Sequence, residues 1–508
     1  MLWPAVQVIG QSAQSLEHLF YRERLAPYRS NKHIIPICSS VNIRILTGCL
    51  GVATFIGLFY PPFNSSAKEY SASSGADIEF LGPRLRPGDS VVMIEGPWRG
   101  QTIVFRAQGT ARKPITLRAG TPGKTILTGQ SSLKIEGEYV VVSGIWVRAG
   151  EKASDGIFIA GNHCRLTGCA VTQSTYKFFV HFSGYENRMD HCFLAEKTSD
   201  SPTLQVEVES RPNHHLIDWN YFGHRPPLGR NGGETMRVGY SWQSMSNSAT
   251  TVENNLFERC DGEIEIISSK SCNNIYRGNT FLDCAGMLTL RHGNGCLVEN
   301  NFFIGHHKRG SGGIRVIGED HTIVNNYIEG VSQGGVWITS GIEDSPLKGY
   351  FCARNILLAF NTIVDSRGPY LDLSAGLGSA RRTLLPENII IANNAFAVPQ
   401  DGTLTKGQQG QGWKWLGNLA QANATNLPGI RSVDIKLQRA SDGLLRPMLD
   451  SPVRGAAEGD FPGIKTDFDG QPRKKRFDVG CDQISTARKM NRPLTPRDVG
   501  PSWWPQTK

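Results

Sequence analysis

Gly262-Glu-Ile-Glu-Ile-Ile-Ser-Ser-Lys270, followed by Arg291 in Leu288-Thr-Leu-Arg-His292, carries the residue types of a metal-assisted proton transfer. On an extended strand side chains alternate faces, so Glu263 and Glu265 share one face while Ile264 and Ile266 take the other. With the amide of Asn231, two carboxylates make a hard oxygen set of the kind calcium takes, leaving positions for water and substrate; magnesium matches it less well. Lys270, close to a divalent cation and to Arg237 and Arg291, would have its ammonium form disfavoured, as a lysine general base requires. Arg291 stays protonated and suits charge stabilisation near a leaving oxygen. Arg315 follows Arg291 by 24 residues, and arginines laddered along a groove would read successive carboxylates of a polymer. The competing reading is a solvated acidic pair matched to Arg237, with the other cations on the surface.

These residues converge only if the chain coils. An apolar run ending in Asn recurs at Asn220, Asn255, Asn279, Asn301, Asn326, Asn361 and Asn394, at intervals of 35, 24, 22, 25, 35 and 33. Gly144, Gly168 and His191 continue the phasing upstream at 24 and 23. Intervals of 22 to 25 predict one turn of a solenoid, and longer ones predict loops inserted on one side. The asparagines are expected to stack at one corner and bond backbone there. Ile264 and Ile266 should then stack on Leu288 and Leu290, with Arg291 on the carboxylate side and Arg237 near Glu265.

Leucine-rich repeats share the period but need leucine, and helical repeats are longer and poorer in glycine. With 56 Gly and 27 Pro among 508 residues, and short Val/Ile/Phe runs bounded by Gly, Asn and Asp, an all-β, right-handed parallel β-helix fits best. One domain is expected over residues 72–485, with a tail over 486–508. Cys260, Cys272, Cys284 and Cys296 are spaced by 12, so Cys260 should stack over Cys284 and Cys272 over Cys296. Zinc sites use closer pairs. Disulfides between rungs are compatible with export.

Arg44 precedes an apolar run from Ile45 to Tyr60, and Ser65-Ser-Ala67 offers a small-residue cleavage site, so residues 1–67 read as a long signal region and the protein as periplasmic or secreted. A membrane anchor is the competitor, although 16 apolar residues are short for a span. Net charge is +9, of which +3 lies in residues 1–67, leaving +6 on the exported part. That balance suits an anionic polysaccharide partner, and no nucleic-acid motif is present.

Asn231-Gly-Gly-Glu234, Glu263-Ile-Glu265 with Lys270, and Leu290-Arg-His-Gly-Asn294 resemble polysaccharide lyase family 6, which holds alginate lyases and chondroitinase B. The resemblance extends to Arg86-Pro-Gly-Asp89, Pro114-Ile-Thr-Leu-Arg118, Gly312-Gly-Ile-Arg-Val316, Asp469-Gly-Gln-Pro-Arg473 and Asp478-Val-Gly480, over roughly residues 75 to 485. It implies β-elimination on a uronic acid: calcium on Asn231, Glu263 and Glu265, Lys270 as base at C5, Arg291 assisting the O4 leaving group, and Arg237, His292 and Arg315 binding substrate. Glu234 is expected to orient Asn231 or Arg237. Alginate is the first expected substrate and dermatan sulfate the second. A β-helix glycoside hydrolase and a non-catalytic glycan-binding solenoid are the alternatives from other classes.

Overall fold

The computed structural model describes residues 66–505, apart from 152–153, 422–426 and 474–475. The expected signal region therefore lies, but for its last two residues, outside the described part. Short β-branched and aromatic strands, mostly three to seven residues long, form three parallel sheets of 14, 12 and 14 strands. Each sheet pairs a strand with its counterpart one coil on, which is the right-handed parallel β-helix expected. Inward Val, Ile, Leu and Phe side chains stack into one continuous core along the axis. Among the described residues no helix is long and apolar enough to cross a membrane.

The predicted asparagine corner is a hydrogen-bonded ladder. From Asn220 to Asn394 each backbone N–H donates to the side-chain oxygen of the next asparagine at 2.9–3.0 Å, ending on Asn418. Each side-chain N–H donates to that same oxygen and to backbone carbonyls, so these buried amides are satisfied. The residue before each of these asparagines is left-handed, with φ between 53° and 61° from Trp219 to Asn393. Gly144, Gly168 and His191 occupy that same left-handed position upstream, so Cys169 and Cys192 stand where the asparagines later do.

Three expectations about register are corrected. The acidic strand runs Glu265–Lys270, and Glu263 and Ile264 precede it in a bend that leaves Ile264 37% exposed. The bend forms where Gly262 meets Gly233 of the preceding coil, an approach too close for a Cβ on either. A register shift after Glu265 then puts Ile267 over Leu288 and Ser269 over Leu290, so Ile267 takes the place expected of Ile264 and Ile266. Cys260 does meet Cys284, its backbone N–H 3.4 Å from the sulfur. Cys272 lies against Asn294 instead of Cys296, because that coil is 22 residues long. The described cysteines are free thiols.

The coils end at Ile430–Ser432, short of residue 485. Beyond them the chain returns along the third sheet, Leu494 N–H bonding Thr280 Oγ1 at 2.8 Å and Trp503 Nε1 bonding the Gly168 carbonyl at 2.8 Å. Buried Arg446 ties this return, 2.6 Å from Asp469 and 2.9 Å from Asp482. That pairing gives the Asp467, Asp469 and Asp482 group a structural partner.

Candidate active site

The 12-stranded sheet presents an outward column running Gln205, Arg237, Ser268, Thr289, Arg315 and Trp337 in register. Their neighbours Met236, Val238, Leu288, Leu290, Ile314 and Val316 face the core, which fixes the column's direction. Small Ser268 and Thr289 leave a gap between two arginines. Arg315 is thus the rung-mate of Thr289, where it was expected beside Arg291. Arg291 falls in a second register shift, between the pairs Ser269–Leu290 and Lys270–His292.

A cleft of about 660 Å³ is lined by Asn231, Glu263, Glu265, Lys270, Arg291 and Arg315, together with Arg230, Ser241, Asp261, Ile264 and Tyr350 among others. Six of the eight residues expected in the site therefore share one cavity. Arg237 does not line it: its Nε donates to Gln205 Oε1 at 2.6 Å and a terminal nitrogen lies 3.6 Å from Glu234 Oε1. It sits one rung below Ser268 instead of near Glu265. His292 has no exposed surface, and its Nε2 lacks a partner. Burial, then Arg291 and Lys270, push its pKa down to about 2, so it is a neutral ring beneath the cleft.

Glu234, expected only to orient its neighbours, joins the acidic pair. One carboxylate oxygen from each of Glu234, Glu263 and Glu265 lies within 4.8 Å of the others. Lys270 Nζ is 3.5 Å from Glu234 Oε1, and Glu265 Oε1 is 3.7 Å from Arg291 and 3.6 Å from Arg315. Ser268 donates to the other Glu265 oxygen. Asp261 also reaches the cleft, but Lys308 holds both its oxygens at 2.6–2.7 Å. Buried Glu234 Oε2 and Glu263 Oε1 have no hydrogen-bond partner. Burial, followed by the charges of Glu234 and Glu265, pushes the Glu263 pKa up to about 8. Two orphaned oxygens and a carboxyl that resists ionisation are what an oxygen-liganded cation would relieve, so this donor set fits calcium.

Two positioning groups escaped the sequence reading. Buried Arg225 donates to the carbonyls of Gly232 and Gly233 at 3.1 and 2.7 Å and to Lys197 and Ser201 on the preceding coil, anchoring the Asn231–Glu234 turn. Alternation from core-facing Phe222 would point Arg225 outward; left-handed His224 turns it inward opposite Cys260, so the strand pattern gave no signal for it. Tyr350, on the loop 344–352, is met by three guanidinium groups, with ring distances of 4.1 Å for Arg291, 4.5 Å for Arg382 and 5.8 Å for Arg315. Arg291 also donates to the Gly349 carbonyl at 2.7 Å. Arg291 is thereby aimed by a loop from two coils beyond it.

The family model for chondroitinase B matches residues 78–431, which include every residue of the cleft. Among solved structures, a family 6 alginate lyase is 33% identical with a TM-score of 0.74, over 87% of this chain and 59% of that one. The chain therefore spans about three-fifths of that relative's length. A mannuronic acid specific family 6 lyase from human gut microbiota is 33% identical at TM-score 0.67, over 72% and 91% of the two chains. A family 6 polysaccharide lyase from Pseudopedobacter saltans is 25% identical at TM-score 0.66, over 86% and 99%. A search of curated proteins gave no match. With a family model covering most of the chain and the whole cleft, the chain belongs to the chondroitinase B family of polysaccharide lyases, polysaccharide lyase family 6.

Proposed function

We propose that this protein is a calcium-assisted lyase that cleaves a uronate polymer, alginate first, by β-elimination. The observation that carries the reading is the meeting of Lys270, Arg291 and a carboxylate cluster with unpartnered oxygens in one cleft. Similar structures described as an alginate lyase and a mannuronic acid specific lyase support alginate ahead of dermatan sulfate. Asn231, Glu263 and Glu265 would hold calcium, with Glu234 in the same carboxylate group. Bound there, the ion supplies positive charge against the uronate carboxylate and so acidifies the C5 proton.

Lys270 takes that proton, and the ammonium it forms has Glu234 Oε1 3.5 Å away. The C5–H electron pair becomes the C4–C5 double bond, the C4–O4 bond breaks with its electrons going to O4, and O4 takes a proton from solvent water as it departs. Arg291, aimed by Gly349 and Tyr350, stabilises the departing oxygen through its hydrogen bonds. Arg315, on the cleft wall, would meet a substrate carboxylate, whereas Arg237 would act through Glu234 and Gln205. His292 packs below Lys270 as a neutral ring.

Export belongs to the same proposal, since the apolar run Ile45–Tyr60 and the small residues Ser65–Ala67 support a periplasmic or secreted enzyme acting on a polymer. Incubation with alginate, polymannuronate, polyguluronate and dermatan sulfate in parallel tests the reading. Near-ultraviolet absorbance of an unsaturated product is expected with an alginate fraction. Absorbance with dermatan sulfate alone would move the substrate to the second reading, and reducing sugar without absorbance would make the protein a hydrolase.

A further inference from the structure

Nine large apolar side chains are exposed in the described part, and four of them, Trp242, Met245, Ile264 and Leu347, lie on segments that rim the charged cleft. Trp242 is the most exposed of the four, at 58%. It is also the best supported. Its ring stacks on Tyr240, centroids 4.2 Å apart and planes 10° from parallel. The Arg237 guanidinium lies 4.8 Å from the Tyr240 ring and is itself held by Gln205 and Glu234. Gln243 closes the turn that carries Trp242: its Nε2 donates to the Val208 carbonyl at 2.7 Å, and its Oε1 accepts from Tyr240 N–H at 3.1 Å. A flat aromatic face is thus braced from behind and left bare in front.

Ser241, the neighbour of Trp242, lines the cleft with Lys270. Trp242 follows the strand Met236–Val238, which pairs directly with Glu265–Lys270. Gly239, next after that strand, lies against the Lys270 backbone, and Trp242 follows three residues on, so the platform stands on the N-terminal side of Lys270 where an adjoining sugar of a bound polymer would lie. A uronate sugar has an apolar C–H face and a charged edge. An aromatic plane takes the first without needing to neutralise the second, and Arg230 and Arg315 on the cleft wall supply the second.

We infer that Trp242 is a stacking subsite for the uronate residue next to the one over Lys270, with Tyr240 and Arg237 as its support. The inference rests on the proposed lyase reading. It is tested in the Lys270→Ala background, where alginate oligosaccharides of three and six units bind without turnover, by calorimetry on the single variant and on its combinations with Trp242→Ala and Trp242→Phe. Hexamer affinity should fall about 3- to 10-fold with Ala and less than about twofold with Phe. In the otherwise intact enzyme Trp242→Ala should raise KM by the same factor and leave kcat and melting temperature unchanged. Unchanged hexamer affinity in the Ala variant, equal losses for Ala and Phe, or a fall in kcat at constant KM would overturn the subsite. Failure of the lyase reading looks different: the intact enzyme would form no unsaturated product from any uronate polymer, and the Lys270→Ala protein would bind no oligosaccharide.

Discussion

The guanidinium carbon of Arg291 lies 4.1 Å from the centre of the Tyr350 ring, although 59 residues separate them in sequence. Desolvated cation–π pairs are worth about 2 kcal/mol, and Arg291 is largely buried. Tyr350→Ala should therefore lower kcat/KM by about 10-fold through loss of Arg291 alignment, while Tyr350→Phe, which keeps the ring, should stay within about threefold. Steady-state kinetics on one alginate fraction checks this, and an equal loss in both variants would shift the role from ring to hydroxyl.

The Glu234, Glu263 and Glu265 cluster should make the protein's stability depend on calcium. At about 100 times its dissociation constant a bound ion adds about 2.7 kcal/mol, so chelation should lower the melting temperature by a few degrees as well as the rate. Glu263→Gln should abolish the calcium-dependent part of the melting shift. A chelated protein with unchanged melting and full rate would remove calcium from the site.

Removing a ladder amide should be costly far from the cleft. Asn301 is fully buried, donates to the Tyr276 carbonyl and to Asn326, and accepts from Asn279. Asn301→Ala orphans several groups at once and should destabilise by about 2–4 kcal/mol in denaturant titration, with kcat little changed in the folded fraction.

Acid should unfold the protein through buried histidines. His215 and His321 are held neutral by burial, at about 3 and about 4, and the Nδ1 of each accepts a backbone N–H at 3.1 Å. Their folded values lie below the unfolded value of about 6.5, so the unfolded chain binds more protons in that window and stability rises with pH across it. Each should withdraw about 2 kcal/mol between pH 6.5 and pH 5. Denaturation midpoints across that range test this, and His321→Asn should flatten the slope.

The coil period was legible because the ladder asparagines must recur wherever a left-handed corner needs its backbone bonded. The convergence of Asn231, Glu263, Glu265, Lys270 and Arg291 followed from that period together with family resemblance. Register within the coil was not legible, since the shifts beside Glu265 and Lys270 leave no mark on composition. That is why Ile264 was expected inside, why Arg315 was placed beside Arg291, and why Glu234 was given only a supporting part. Tyr350 was hidden for another reason: it arrives on an inserted loop whose conformation depends on arginines from three different coils.

Lys270 as the base is the claim on which the chemistry turns, and one measurement reaches it most directly. Near-ultraviolet absorbance should be followed with the preferred polymer for the intact enzyme and for Lys270→Ala, with polymer binding measured on both. Product formation is predicted to fall by at least about 10³-fold in the variant while polymer affinity stays within a few fold. A variant that binds normally and still produces unsaturated ends at a substantial fraction of the original rate would contradict it.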